Sequence, residues 1–409
     1  MYLLCLIFLT AMSMAYEARL HEQGSPGLTA MSAIEVVPVQ SKGHMTAFID
    51  LPKAVYADDP FWICPLDLER RLHFDPMKNP FFSHAEGQLF LALQNGRPVG
   101  RISAHVDRLR LDRYDDATGQ FGFLEAIDHQ PVFAALLRAA EHWLKERKLR
   151  RVQGPFNFSI NDECGLLVTG FDAPPAVMMG HARPYYAERI GREGYARAKD
   201  LLAYRLDMRN PLPRAVASML ARSRNTGKLF VRPLSKRHLN RDLSIIIGIF
   251  NDAWSGNWNF VPMTEAEIRS LGDVLKYLVE ERHVAIAFYD GEPAAMVVTL
   301  PDFNRMSRDL HGRLLPFGWA KLLWRLKFRT HEAFRVPLLG VTRKHKGSPL
   351  GTILALAVIE AVHQFHRARG TYLCELSWIL EDNMPMRRLI EVVGAEPYKT
   401  YRVYEKSLA

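Results

Sequence analysis

Residues 340–352, GVTRKHKGSPLGT, decide how the rest of the chain is read. On their N-terminal side the apolar run VPLLGV (336–341) has the composition of a strand. On their C-terminal side Leu350, Ile353, Leu354, Ala357, Val358, Ala361, Val362 and Phe365 recur at the i, i+3, i+4 spacing of a buried helical face. Ser348-Pro349 marks the helix start, because proline suits the first helical position. Arg343, Lys344 and Lys346, with Gly347 and Gly351, therefore stand beside the free amides of a helix N-terminus, a setting suited to a pyrophosphate; the same residues also fit an ordinary basic surface turn. The loop is neither GxxxxGK[ST] nor GxGxxG, which removes support for a P-loop nucleotidase or a dinucleotide-binding dehydrogenase.

Working outward, VAIAFYDGEPAAMVVTL (284–300) reads as strand, Asp-Gly turn and strand, and TYLCELSW (371–378) as the strand that follows the helix. The N-terminal half repeats this β-β-β-α-β pattern. FLALQNGRPVGRISAHV (90–106) is a hairpin turning at Asn95-Gly96 and QFGFLEAID (120–128) is a third strand. A helix with Val132, Phe133, Leu136, Leu137, Ala140, Trp143 and Leu144 on one face then leads to the strand RVQGPF (151–156). Strands interleaved with helices imply a mixed α/β sheet, and the duplication implies two similar domains. The junction falls in NPLPRAVASMLARSRNTGKL (210–229), a linking helix.

Composition agrees with a folded chain. Its 409 residues allow two or three domains, and 48% apolar with 24% charged residues excludes disorder, collagen and coiled coil as the general state. Fifty-three Lys and Arg against 44 Asp and Glu give +9, which attracts phosphate-bearing ligands, nucleic acid or anionic lipid without choosing among them. The four cysteines (Cys5, Cys64, Cys164, Cys374) have no zinc spacing or disulfide pattern, so neither metal nor disulfide is expected and a reduced, cytosolic setting fits.

The order strand, basic glycine-bearing loop, helix, strand, then Asn383 and Gly394-Ala395 before a tyrosine-rich last strand (YKTYRVYEK, 398–406) resembles the GCN5-related N-acetyltransferase (GNAT) fold. The phrases GPFNFSINDECGLLVTGF (154–171), FNDAWSGNWNFVPMTEAEI (250–268) and LSWILEDNMPMRRLIEVVGA (376–395) resemble a bacterial family of tandem acyltransferase-fold proteins that includes acyl-CoA-dependent ceramide synthases. The resemblance implies an α/β fold: two tandem GNAT-like domains with mixed, mostly antiparallel sheets flanked by helices. Residues 31–209 would form the N-terminal, acceptor-side domain, whose loop FLEAIDHQPV (123–132) is degenerate; 210–230 a linker helix; and 231–409 the acyl-CoA-binding domain. The implied activity is N-acylation of a long-chain amine, most specifically a sphingoid base, with acyl-CoA as co-substrate and no permanently bound cofactor. An aminoacyl-tRNA-dependent transferase and a non-catalytic acyl-CoA or lipid sensor remain alternatives.

In that frame Val341, Arg343, Lys346, Gly347, Gly351 and Thr352 would hold the pyrophosphate arm. Amide formation needs a neutral amine and a polarised thioester. Glu375 is the preferred base, Asn383 would orient the CoA arm or a water, and Tyr401 or Tyr404 would protonate the leaving thiolate, since the tyrosine usual in the superfamily is replaced by Ile390. Asn157, Ser159, Asn161, Asp162 and Glu163 form a second polar group, equally a tight turn or an acceptor site with Asp162 or Glu163 as an alternative base. Trp254, Trp258 and Phe260 would line an apolar tunnel or fill core. His105, His181 and His283 are scattered, and Cys164 and Cys374 read as buried small hydrophobes.

Residues 314–329, LLPFGWAKLLWRLKFR, put Trp319, Leu322, Leu323 and Leu326 on one helical face, with Lys321, Arg325 and Arg329 as a basic stripe; this composition suits a helix lying on an anionic membrane or an ordinary amphipathic helix. The expected setting is cytoplasmic, peripheral to the inner membrane, without nucleic acid as partner. Residues 1–30, opening MYLLCLIFLTAMSMA, read as a disordered leader or a start codon placed upstream of Met31, because the apolar run is shorter than the ~20 residues of a spanning helix.

Overall fold

A computed structural model of the chain describes residues 33–225, 227–329 and 331–408; the leader expected at 1–30 lies outside them. Among the described residues thirteen strands are formed: β1 (Ile34–Pro38), β2 (Ala85–Gln94), β3 (Arg97–Asp107), β4 (Thr118–Ala126), β5 (Arg151–Gly154), β6 (Leu166–Thr169), β7 (Ala196–Asp207), β8 (Leu229–Pro233), β9 (Val284–Tyr289), β10 (Glu292–Pro301), β11 (Ala333–Val341), β12 (Leu373–Leu380) and β13 (Glu396–Ser407). The two hairpins turn where the sequence placed them. Asn95 and Gly96 have φ of 53° and 74°, and Asp290 and Gly291 have 49° and 81°, the left-handed pair that a two-residue turn between twisted strands requires.

The strands lie in one sheet in the order β1-β2-β3-β4-β5-β13-β7-β12-β11-β10-β9-β8, with β6 beside β13. Parallel pairing occurs between β4 and β5 and between β11 and β12, and the remaining described pairs are antiparallel. The repeat read from the sequence is present, but it does not make two separate sheets. The last strand of each half sits beside the fifth strand of the other: β7 pairs with β12 and β13 pairs with β5. Because β7 and β13 also pair with each other, the halves share a central ladder rather than a side-chain interface.

Helix Gln130–Glu146 packs Val132, Phe133, Leu136, Leu137, Ala140 and Leu144 into the first core, and helix Pro349–Ala368 packs Leu354, Ala357, Val358 and Val362 into the second. The halves differ where their parallel strands end. In the first, Phe156 and Asn157 fill the gap beyond Gln120 and Gln153: the Phe156 amide donates to the Phe121 carbonyl (2.7 Å) and the Phe123 amide to Asn157 Oδ1 (2.7 Å). A Cβ at Gly122 would meet the Phe156 carbonyl oxygen at 1.7 Å, so only glycine lets the chain close there.

His84 ties the halves together. Its Nδ1 is 3.0 Å from Asp107 Oδ1, and its Nε2 is 3.8 Å from Glu267 Oε1 on helix Glu265–Leu278. Burial alone would lower its pKa, yet the two carboxylates outweigh burial and raise it to about 9. With an unfolded value of about 6.5, this stabilisation is fully present below pH 6.5 and is lost as pH rises through 9. Between pH 6 and pH 9.5 the wild type should lose about 1–3 kcal/mol more unfolding free energy than His84→Gln, read from urea midpoints at constant m.

Candidate active site

In the second half the parallel strands part and the gap stays open. Ala333–Val336 pair with Leu373–Leu376; beyond them β11 keeps β10 as neighbour and β12 keeps β7. Pro337 stands at the parting point and has no amide hydrogen to donate across it. The wedge opens into a cleft of about 490 Å³ lined by Val341, Lys346, Gly347, Gly351, Thr352 and Asn383 at its mouth, and by Trp254, Ser377 and Trp378 inside.

The bend at the mouth is tight. Ser348 caps the helix, its Oγ accepting from the Gly351 amide (3.0 Å), and Gly347 has φ of 78°. A Cβ on Gly351 would lie 2.1 Å from the His345 carbonyl oxygen, so the bend and the helix can close on each other only with glycine there. Lys346 extends over the Ala253 carbonyl (Nζ to O 3.4 Å). Arg343 turns away from the cleft: its amide donates to Asp252 and its Nη1 to Ser255 Oγ (3.0 Å), because those acceptors stand on the neighbouring helix end. Asn383 caps helix Met384–Val392, its Oδ1 accepting from the Met386 amide at 3.4 Å.

Glu375 lies one step inside the parting point, 4% exposed, opposite Arg335 in the parallel register. Its two oxygens accept from Ser377 Oγ and from the Tyr398 hydroxyl. Arg335 donates through Nε to Ser377 Oγ (2.9 Å) and through Nη2 to the Ser377 carbonyl (3.0 Å). Ser377 also lines the cleft, so it connects the open wedge to the buried carboxylate. Tyr401 is fully buried, its hydroxyl has no hydrogen-bond partner among the described residues, and burial raises its pKa well above the usual range. It does not line the cleft, and neither does Tyr404; the tyrosine that reaches Glu375 is Tyr398, which no motif singled out.

Two further buried charges surround this group. Burial pushes the Asp302 carboxyl up to about 6 against the pull of Arg305, and burial pulls Lys399 down to about 8 against Glu375 and Asp302. Together with Arg335 and Asn304 they hold a strap of the first half. Lys399 Nζ donates to the carbonyls of Ala173 (2.8 Å) and Pro174 (2.9 Å), and Asn304 to those of Pro175 (3.1 Å) and Ala176 (3.0 Å). Arg335 Nη1 donates to those of Val177 (2.9 Å) and Met178 (3.3 Å), while Asp302 accepts from the Val177 amide (3.2 Å).

An apolar pocket of about 80 Å³ continues inward from the cleft, sharing Trp254, Asn257, Pro337, Ser377 and Trp378 with it and adding Trp258, Phe250 and Phe260. Asn161 and Asp162 border this pocket, whereas Asn157, Asp162 and Glu163 border a third cavity in the first half. The 157–163 segment is also a tight turn: Phe158 has φ of 76°, the Asp162 amide donates to the Ser159 carbonyl (3.0 Å) and the Asn161 amide to Ser159 Oγ (3.1 Å). The remaining singled-out side chains lie elsewhere. His105 and His283 are buried, with burial lowering them to about 4 and about 3; His181 is bound to Asp59; burial raises the Cys164 and Cys374 thiols.

Helix Gly318–Phe328 is oriented differently from the sequence expectation. Leu322 packs with Leu66, Leu310 and Leu314, and Lys321 and Arg325 both engage Asp309, which draws that stripe onto the protein. Leu315, Phe317, Trp319, Trp324 and Phe328 are the exposed apolar side chains, with Arg329 over the Trp324 ring (5.1 Å). Among the described residues no helix is long and apolar enough to cross a membrane.

No family model matches the chain. It is 45% identical over 382 residues to the protein named bacterial ceramide synthase of Caulobacter vibrioides (strain NA1000 / CB15N), covering 92% of this chain and 98% of that one. It is 44% identical over 368 residues to protein YghO of Escherichia coli (strain K12), covering 90% and 94%. Among solved structures, a tandem GNAT protein from the clavulanic acid biosynthesis pathway matches 92% of this chain and 99% of its own with a TM-score of 0.54 at 15% identity. A GCN5-related N-acetyltransferase from Sphaerobacter thermophilus matches 92% and 96% with a TM-score of 0.51 at 11% identity. At such identities these structural likenesses carry the fold alone.

Ser377→Ala should strand Arg335 Nε and one oxygen of Glu375 in the interior. Leaving buried polar groups unpaired costs about 1–3 kcal/mol, so the urea midpoint should fall by that equivalent with m unchanged.

Proposed function

Because the chain belongs to the family that holds the bacterial ceramide synthase of Caulobacter vibrioides and YghO of Escherichia coli, we propose that it is an acyl-CoA-dependent N-acyltransferase that joins a fatty acyl group to a sphingoid base, giving ceramide. The observation that carries this proposal is the open wedge between β11 and β12, with a glycine-bearing basic bend at its mouth and a buried carboxylate just behind it. Lys346, Gly347, Gly351 and Thr352 would receive the pyrophosphate arm, and the thioester would lie in the wedge with its acyl chain continuing into the apolar pocket of Trp254 and Trp258. Arg343 is instead held on Asp252 and Ser255.

Chemically, the neutral amine attacks the thioester carbonyl, an N–C bond forms, and collapse of the adduct breaks the C–S bond. The nitrogen gives up a proton, and Ser377 Oγ, which donates to Glu375 on a residue lining the cleft, would take it while passing its own to Glu375. Arg335 on the same serine oxygen offsets charge as the relay moves. The leaving thiolate takes a proton on release as free CoA. Asn383 at the cleft mouth would orient the CoA arm.

Incubation of the purified protein with a long-chain acyl-CoA and a panel of amines, read by mass spectrometry, should give the amide and free thiol in equal amounts with a long-chain amino-alcohol; no amide with any amine overturns the proposal. Glu375→Gln should lower kcat by about 10²–10⁴ while the Kd for acyl-CoA stays unchanged. Gly351→Ala should instead weaken acyl-CoA binding, since its Cβ displaces the His345 carbonyl.

In the same proposal the enzyme is peripheral to the cytoplasmic face of the inner membrane, resting on the exposed group Leu315, Phe317, Trp319, Trp324 and Phe328 with Lys327 and Arg329 towards anionic head groups. Trp324→Asp with Phe328→Asp should reduce co-sedimentation with phosphatidylglycerol vesicles severalfold and leave turnover of a short soluble amine unchanged.

A further inference from the structure

The strap of the first half runs between two cavities, and one of its side chains belongs to both. The apolar pocket behind the wedge, about 80 Å³, and the third cavity, about 170 Å³, share Asp162, Met178 and Leu300 as wall residues. Asp162 is set by the polar turn, whose Ser159 carbonyl accepts its amide, and Leu300 by the β10–β11 ladder, where it pairs with Arg335. Met178 is set by the strap alone. Its φ is 60°, in the left-handed region that glycine enters freely and other residues only at a cost.

That conformation persists because the backbone around it is pinned. Arg335 Nη1 donates to the carbonyls of Val177 (2.9 Å) and Met178 (3.3 Å), Asp302 accepts from the Val177 amide (3.2 Å), and the Met179 amide donates to the Ala176 carbonyl (3.0 Å). The pinning sorts the side chains. Val177 is buried in a core of the second half and Met179 in the core of the first, whereas Met178 between them keeps accessible surface and lines both cavities. Its unbranched thioether has no hydrogen-bond donor and adapts its shape, so it suits the end of an alkyl chain. Past it the surroundings stay apolar on one side, since Val274 and Phe303 line the third cavity and share a core with Leu300.

We propose that Met178 is the floor of the acyl pocket and sets the longest acyl chain the enzyme accepts, the methyl end of the chain resting against the thioether. The inference rests on the acyltransferase proposal and adds a specificity-determining residue for its donor. The Cγ, Sδ and Cε atoms of Met178 together take up about the length of three methylenes. Without them the pocket runs on into the third cavity, and the chain gains about two to four carbons of room. Each methylene taken from water into apolar surroundings tightens binding about fourfold, whereas one that meets a closed wall adds nothing. The same arginine that braces Ser377 at the apex of the wedge also fixes this floor, so the distance from thioester to floor is held by one side chain.

The test is equilibrium binding of a series of saturated acyl-CoA thioesters of increasing chain length to the full chain, each below its critical micelle concentration. Wild-type affinity should rise about fourfold per methylene up to a limiting length and no further beyond it. Met178→Ala should move that limit up by about two to four carbons and Met178→Trp should move it down by about two or more. In both, affinity for CoA itself should stay within about twofold of wild type, which also reports folding. Met179→Ala, one residue away but packed in the first core, should lower the urea midpoint and leave the limit where it is. An unmoved limit in both Met178 variants, a limit moved as far by Met179→Ala, or a change in the length of amine accepted with none in the acyl chain overturns the inference. The expected shifts in binding with no amide formed from any amine would instead overturn the acyltransferase proposal and leave the role of Met178 standing.

Discussion

The buried guanidinium of Arg335 is the group on which the site depends. Moving a charge into the interior costs several kcal/mol, and burial lowers the pKa of this arginine, so it persists only because each direction it points is answered. It faces Glu375 across the parallel register, holds the side chain and carbonyl of Ser377, and reaches the carbonyls of Val177 and Met178. One side chain thus ties together the parallel ladder of β11 and β12 one step inside its end, the serine at the start of the wedge, and the strap of the other half. The wedge beyond Val336 and Leu376 opens from a fixed apex, which is what a reaction requiring a thioester and an amine in one orientation needs.

The exchange of β7 and β13 explains why two similar halves came to differ. Once the last strand of each half is embedded in the sheet of the other, neither half can open without breaking a central ladder, and each can specialise. In the first half Phe156 and Asn157 fill the position of the wedge, and a connection from Ile127 to His129 replaces the longer bend at 342–348. That half contributes cavity walls instead: Asn161, Asp162 and Met178 to the apolar pocket, and Arg70, His73, Asn157 and Glu163 to the third cavity. The polar turn at 157–163 serves in both capacities, since its glycine-like φ at Phe158 and its internal hydrogen bonds are what present Asn157 and Glu163 inward.

Much of the architecture was legible because it depends on local chemistry. Asn95-Gly96 and Asp290-Gly291 turn where positive φ is cheap, and the apolar faces of the two long helices are read from spacing alone. The bend was legible for the same reason, since Ser348-Pro349 and two glycines constrain the backbone within a few residues. The site was less so. Arg343 reads as part of the bend but is taken by Asp252; Tyr401 reads as a proton donor but is enclosed between β6 and β7, while Tyr398 reaches the carboxylate. The one trace of the buried network in the sequence is a charge set among apolar neighbours, Arg335 in AFRVPLL and Lys399 in a tyrosine-rich strand, a pattern that marks burial without naming the partner.

By itself the sequence determined the elements, their duplication and the place of the basic, glycine-bearing bend, because hydrophobic periodicity and turn chemistry act over a handful of residues. Only the tertiary structure decided which strand of one half completes the other, which of two equivalent wedges stays open, and which charges meet across 158 or 226 positions of chain, as Arg335 meets Val177 and Lys399 meets Ala173. Such contacts are set by the packing of the whole sheet, where a strand's partner depends on what the rest of the chain leaves exposed, and no local pattern encodes that.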